Sequence, residues 1–153
     1  MSELKAPGAY AHLPRPWLFL AGSIEMDSAE RWQGRVVRAL ESTGATLLNP
    51  RREDWDSSWR QQIGDGQFRE QVDWELAAQE AADRILMYFS PGTKSPITLL
   101  ELGLAARTGK LIVCCPDGFW RKGNVDVVCA RYGVEQVADL DTLIARVLQS
   151  LAR

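Results

Sequence analysis

Three short, almost unbroken apolar runs constrain this chain more than any other feature: WLFLA at 17–21, RILMYF at 84–89 and LIVCC at 111–115. A strand with one wet face alternates apolar and polar residues, so a continuous run predicts a strand buried on both faces. Between and around the runs lie segments of helical spacing. From Asp27 or Ser28, Trp32, Val36, Val37 and Leu40 recur on one side, with Gly44 as the stop. A second helix is expected over about 67–82, with Phe68, Val72, Leu76 and Ala77 as its apolar side. Ser95-Pro96 opens a third, Ser capping the free N–H groups and Pro fitting the first turn, and Gly109 closes it. Residues 125–132 suggest a short helix and 140–151 a final amphipathic one; 45–48 and 134–137 complete the strands.

Strand and helix thus alternate about five times. The pattern predicts an α/β, three-layer, flavodoxin-like doubly wound parallel sheet of about five strands in the order 2-1-3-4-5. Residues 1–16, with Pro7, Gly8, Pro14 and Pro16, read as an extended arm without repeating structure. Residues 17–153 read as a single domain. In such sheets ligands bind at the carboxyl ends of the strands, where the winding reverses. That places Gly22-Ser23, the loop 90–94 and the helix behind it around one crevice.

Glu101 is the only acid between Asp83 and Asp117, and leucines stand at 99, 100, 102 and 104. Two readings are open. At 100° per residue Thr98, Glu101 and Thr108 share a side, which could be a solvated stripe; alternatively the carboxylate lies in an apolar setting because it has chemistry to do. In the second case it must be ionised at neutral pH, helped by the helix N-terminus and by hydroxyls such as those of Ser23 or Tyr88.

Absences narrow the chemistry. His12 is the only histidine, so Ser-His or Cys-His catalysis and a His-ligated metal are not expected. Cys114, Cys115 and Cys129 lack metal spacing and read as small core residues. No GxGxxG or phosphate-loop motif occurs, so no cofactor is expected. The net charge of −2 gives no general attraction to nucleic acid. No run approaches the roughly 18 apolar residues of a membrane span, and the start lacks a signal-peptide core, so a cytoplasmic location is expected. Arg51, Arg52, Trp55, Trp59 and Arg60 crowd the segment 51–66. Its tryptophans could stack on a base with arginines on a phosphate, or fill a small satellite core with the arginines paired to Glu53, Asp54 and Asp56.

FLAGSI (19–24), AADRILMYF (81–89) and LLELGLAARTGKLIV (99–113) together resemble the nucleoside 2-deoxyribosyltransferase family. The resemblance covers roughly residues 17–130. It implies Glu101 as a nucleophile that attacks C1′ of a 2′-deoxynucleoside, releases the base and leaves a covalent deoxyribosyl-enzyme for a second base or water. It implies Gly22 and Ser23 in the pocket lining. It implies Asp83 as a pocket acid, although an acid opening a strand can equally serve as a structural cap. Asn124 is matched to a sugar-binding residue offered across a subunit interface, which implies a homo-oligomer. The family's base-holding Asp is replaced by Ser95, and Asp54 or Asp56 might supply an acid instead. Arg52 and Trp59 complete the candidate set. The rival class is a nucleotide-binding sensor or interaction module that kept the pocket without the chemistry.

Overall fold

The computed structural model describes residues 1–24, 31–52 and 58–153. Along the chain they form β1 (Ser2–Lys5), β2 (Trp17–Gly22), α1 (Trp32–Ala39), β3 (Thr46–Asn49), α2 (Gly66–Ala81) and β4 (Arg84–Tyr88). Then follow α3 (Pro96–Ala105), β5 (Leu111–Cys114), α4 (Lys122–Tyr132), β6 (Glu135–Val137) and α5 (Leu140–Leu151). All six strands are parallel, in the order β1-β3-β2-β4-β5-β6. The five expected strands take the expected order, and β2 and β4 are neighbours, Leu18 beside Arg84 through Gly22 beside Tyr88. The sixth strand corrects the reading of the arm. Ser2–Lys5 pairs with Thr46–Asn49 and becomes the sheet edge. Its four residues alternate in exposure, a half-covered pattern too short to register as a strand from sequence.

The apolar runs are buried on both faces because helices cover both. One layer holds α2, α3 and α4 against Phe19, Leu48, Ile85, Met87 and Val113; the other holds α1 and α5 against Leu18, Leu20, Leu47, Leu86 and Ile112. Trp32, Val36 and Leu40 turn inward from α1 as their spacing requires. The arm is docked as well: Tyr10 packs edge-on against Trp17 and Trp74, and the Trp74 indole N–H donates to the Gly8 carbonyl at 2.8 Å.

Helix α2 departs from its expected orientation. Leu76 and Ala77 are exposed, whereas Gln71, Ala78 and Gln79 are buried. Small Ala78 and Ala82 bring the helix close to the sheet, and Trp74 supplies the bulk beside Phe19. On the flank that remains, Gln71, Glu75 and Gln79 follow at four-residue spacing, with Gln79 reaching Glu101 of α3 and Gln71 reaching Pro50 after β3.

Candidate functional site

Parallel strands put one end of every crossover at the same edge. Ser23 follows β2, Pro50 follows β3 and Ser90 comes just after β4, all at the carboxyl edge of the sheet. Gly22 is fixed there by crowding: a Cβ would stand 2.5 Å from the Tyr88 carbonyl oxygen and 2.6 Å from Trp32 Cζ2. The Trp32 indole N–H donates to the Ser23 carbonyl at 3.1 Å, locking the turn from the other layer.

The Ser23 hydroxyl joins a buried hydroxyl cluster. It lies 2.6 Å from Ser95 Oγ and 3.2 Å from Thr93 Oγ1, and it accepts from the Ser90 N–H at 2.9 Å. Ser95 does not cap α3 with its side chain, as its position in the sequence suggested. It adopts the left-handed conformation (φ 45°), the one non-glycine among the described residues to do so, and spends its hydroxyl on Ser23 and Thr93. Such a conformation costs on the order of 1–2 kcal/mol for a residue with a Cβ, and the two hydroxyl contacts hold it.

Glu101 stands on the second turn of α3 and is 8% exposed, which removes the solvated-stripe reading. The outer face of α3 is instead apolar, with Ile97, Leu100 and Leu104 all more than half exposed. The Glu101 carboxyl accepts a hydrogen bond from the Gln79 side-chain amide. Neither Ser23 nor Tyr88 supplies that bond: the Ser23 hydroxyl belongs to the cluster, and the Tyr88 ring packs on Trp32 in the other layer. Burial is the main cause that pushes the Glu101 carboxyl up, to about 8, and the negative charge of Glu75 adds to it; the Gln79 amide opposes both. Burial thus opposes the ionised carboxylate that the nucleophile role requires. The helix N-terminus is more than one turn away and its field falls off within that turn.

Glu75 is the second acid of the site, and burial raises its carboxyl too. Gln71 donates to it at 2.9 Å and also to the Pro50 carbonyl at 2.8 Å. The wall from Glu101 to the carboxyl edge is thus Gln79, Glu75 and Gln71, one helical turn apart. Sequence reading passed over these three because it sought the apolar side of α2. The signal was present as three polar residues at i, i+4 and i+8 beside Trp74 and Ala78. The thiols carry no comparable potential, since burial pushes Cys114, Cys115 and Cys129 up to between about 11 and about 12. Among the described residues no three His, Cys, Asp or Glu side chains gather as metal ligands would.

A model of the family described as nucleoside 2-deoxyribosyltransferase like matches residues 15–119, more than half of the chain. The chain belongs to that family. A conserved protein from Enterococcus faecalis V583, known from its crystal structure, superposes with a TM-score of 0.64 at 15% identity, over 90% of this chain and 100% of its own. That likeness shows the fold. No curated protein sequence matches.

The family match contains Gly22, Ser23, Asp83, Ser95 and Glu101, yet the structure does not bring all five together. Asp83 stands at the amino end of β4, about 17 Å along the strand from Tyr88. There its carboxylate accepts from the Trp17 N–H at 2.7 Å and from Arg15 at 2.8 Å. That is the structural role, a clamp between the arm and the sheet. Asn124, beyond the family match, is exposed on the first turn of α4. The Arg52 guanidinium lies 4.8 Å from the Trp59 ring centroid and 3.5 Å from the Glu70 carboxylate, its side chain only 7% exposed. Those contacts favour the satellite-core reading for this pair. Trp55, Asp54 and Asp56 lie outside the described residues. No helix among the described residues is long and apolar enough to cross a membrane. Two surface clefts, of ≈ 410 Å³ beside Arg15, Thr43 and Leu151 and ≈ 230 Å³ beside Arg84, Tyr132 and Glu135, open at the amino edge, and neither is lined by Glu101.

Proposed function

We propose that this protein cleaves or exchanges the N-glycosidic bond of (deoxy)nucleosides or nucleotides, with Glu101 as the nucleophile. The observation that carries the reading is the pair of carboxyl groups, Glu101 of α3 and Glu75 of α2, on neighbouring helices joined by the Gln79–Glu101 bond, with the charge of Glu75 acting on Glu101. Retaining glycosyl transfer needs one carboxylate to attack C1′ and one proton for the leaving group. Two interacting acids that share a proton can provide both. Once Glu101 gives up its proton, its carboxylate oxygen bonds to C1′ as the C1′–N bond breaks, and the electron pair leaves with the base, which takes up the proton of Glu75. Glu75, again ionised, can then accept the proton of an incoming water or base. Gln79 donates to Glu101 and holds the attacking oxygen in place. The Gly22-Ser23 turn and Ser95 form the floor through their close-packed backbone and hydroxyl cluster.

The same reading includes a homo-oligomer in the cytoplasm that needs no metal or cofactor. The exposed, uncharged outer stripe of Ile97, Leu100 and Leu104 supports a second copy, because a stripe of that kind is ordinarily covered. Intact mass spectrometry after acid quench tests the chemistry. Wild type incubated with 2′-deoxynucleosides or their 5′-monophosphates should gain a deoxyribosyl or phosphodeoxyribosyl adduct, mapped by peptide to Glu101, and Glu101→Gln should gain none. Absence of both adduct and free base, with binding retained, would favour the sensor reading.

A further inference from the structure

Gln71 is the residue of the wall that the proposed chemistry does not use. It is 4% exposed, and its amide nitrogen is committed twice, to the Pro50 carbonyl and to Glu75. Those bonds fix the amide's orientation, since turning it over would set its oxygen against the Pro50 carbonyl oxygen. The other end of the amide, Oε1, is fully buried and has no hydrogen-bond partner among the described residues. A buried acceptor left unpaired costs about 1–3 kcal/mol, so an oxygen held this way is a site in want of a donor. Gln33 of α1 is similarly orphaned, but in the layer on the opposite face of the sheet from Glu101.

We propose that Gln71 reads the base, its Oε1 accepting a hydrogen bond from an amino group on the nucleobase. The inference rests on the glycosidic reading of the site and adds a substrate class to it. Along α2, Gln71 stands two turns, about 12 Å, from Gln79, the residue that touches Glu101. It lies toward the carboxyl edge, where Pro50 follows β3. If C1′ sits at Glu101, the sugar occupies the Gln79 end of the wall. The far edge of the base, farther from C1′ than the sugar hydroxyls are, points toward Gln71. Only an acceptor is presented there, because both amide hydrogens are already used. A base amino group is therefore satisfied, while an oxo group in its place sets oxygen against oxygen.

Two pairs of probes differ by that single exchange: 2′-deoxycytidine against 2′-deoxyuridine, and 2′-deoxyadenosine against 2′-deoxyinosine. Calorimetric dissociation constants on the Glu101→Gln chain, which should not turn them over, are expected to favour the amino member of at least one pair by roughly 10- to 100-fold. Adding Gln71→Met, similar in length and without the acceptor, should bring that ratio close to one. Melting temperature separates the roles. A structural Gln71 predicts a fall in melting temperature with the ratio kept, and that outcome overturns the proposal. Equal binding within both pairs, or tighter binding of the oxo member through its ring N–H, overturns it as well while leaving the glycosidic reading intact. Failure of all four probes and their 5′-monophosphates to bind overturns both.

Discussion

Replacing Glu101 by glutamine should make the protein more stable at alkaline pH, a prediction that needs no substrate. The carboxyl has an ordinary value of 4.5 and is pushed up to about 8 in the fold. The folded chain therefore holds a proton that the unfolded chain has released. The stability this contributes is fully present below about pH 4.5 and is lost as pH rises toward 8, at up to about 1.4 kcal/mol per pH unit. Across the window the loss is on the order of 5 kcal/mol as an upper bound, since relaxation around the charge reduces it. Glu75, raised for the same reason, adds a slope of the same sign. Asp65, Asp126 and Asp139 are lowered from 3.8 and act below this window, with the opposite sign. Urea denaturation at several pH values between about 5 and 8.5 measures the slope. Wild type should weaken steadily, whereas Glu101→Gln should keep only the shallower slope due to Glu75 and be more stable at the upper end. A gain of 1 kcal/mol corresponds to a rise in melting temperature of roughly 2–4 °C for a chain of this size. A wild-type curve with no slope, or an equal slope in the variant, would refute the raised carboxyl. Base release, if catalysed by ionised Glu101, should move the other way and rise with pH toward 8.

Gly22→Ala should destabilise strongly, because the new methyl would meet the Tyr88 carbonyl and the Trp32 ring at 2.5 and 2.6 Å; overpacking of this kind typically costs about 1–3 kcal/mol or more. A urea midpoint unchanged from wild type would mean the turn relaxes freely. Asp83→Asn should lower stability by about 1–2 kcal/mol through its lost charge-assisted bonds to Arg15 and Trp17, with kcat and KM unchanged. A selective rise in KM would return Asp83 to the pocket.

The sequence by itself determined the architecture, because burial on two faces leaves a chemical trace: WLFLA, RILMYF and LIVCC contain what a doubly covered strand must contain, and the helical spacing between them admits little else. It also carried the single acid of α3 and the glycine turn facing it, since both are local and unusual in kind. What it could not carry was orientation and company. Whether Glu101 faced water or the interior depended on which side of α3 met the sheet, and the apolar Ile97, Leu100 and Leu104 lie outside, where hydrophobicity alone would not put them. The roll of α2 was hidden for a similar reason. Trp74, Ala78 and Ala82 beat Val72 and Leu76 to the sheet by fit, not by hydrophobicity, and so drew Gln71, Glu75 and Gln79 into the crevice. Asp83 shows the same limit from the other side: its motif is legible, but only the strand's direction decides that it lies at the amino edge, opposite Ser23, where Arg15 and Trp17 hold it. Periodicity reports how much of a helix is apolar. Shape complementarity in three dimensions decides which polar groups are buried beside one another, and hence which of them act on one another's charge.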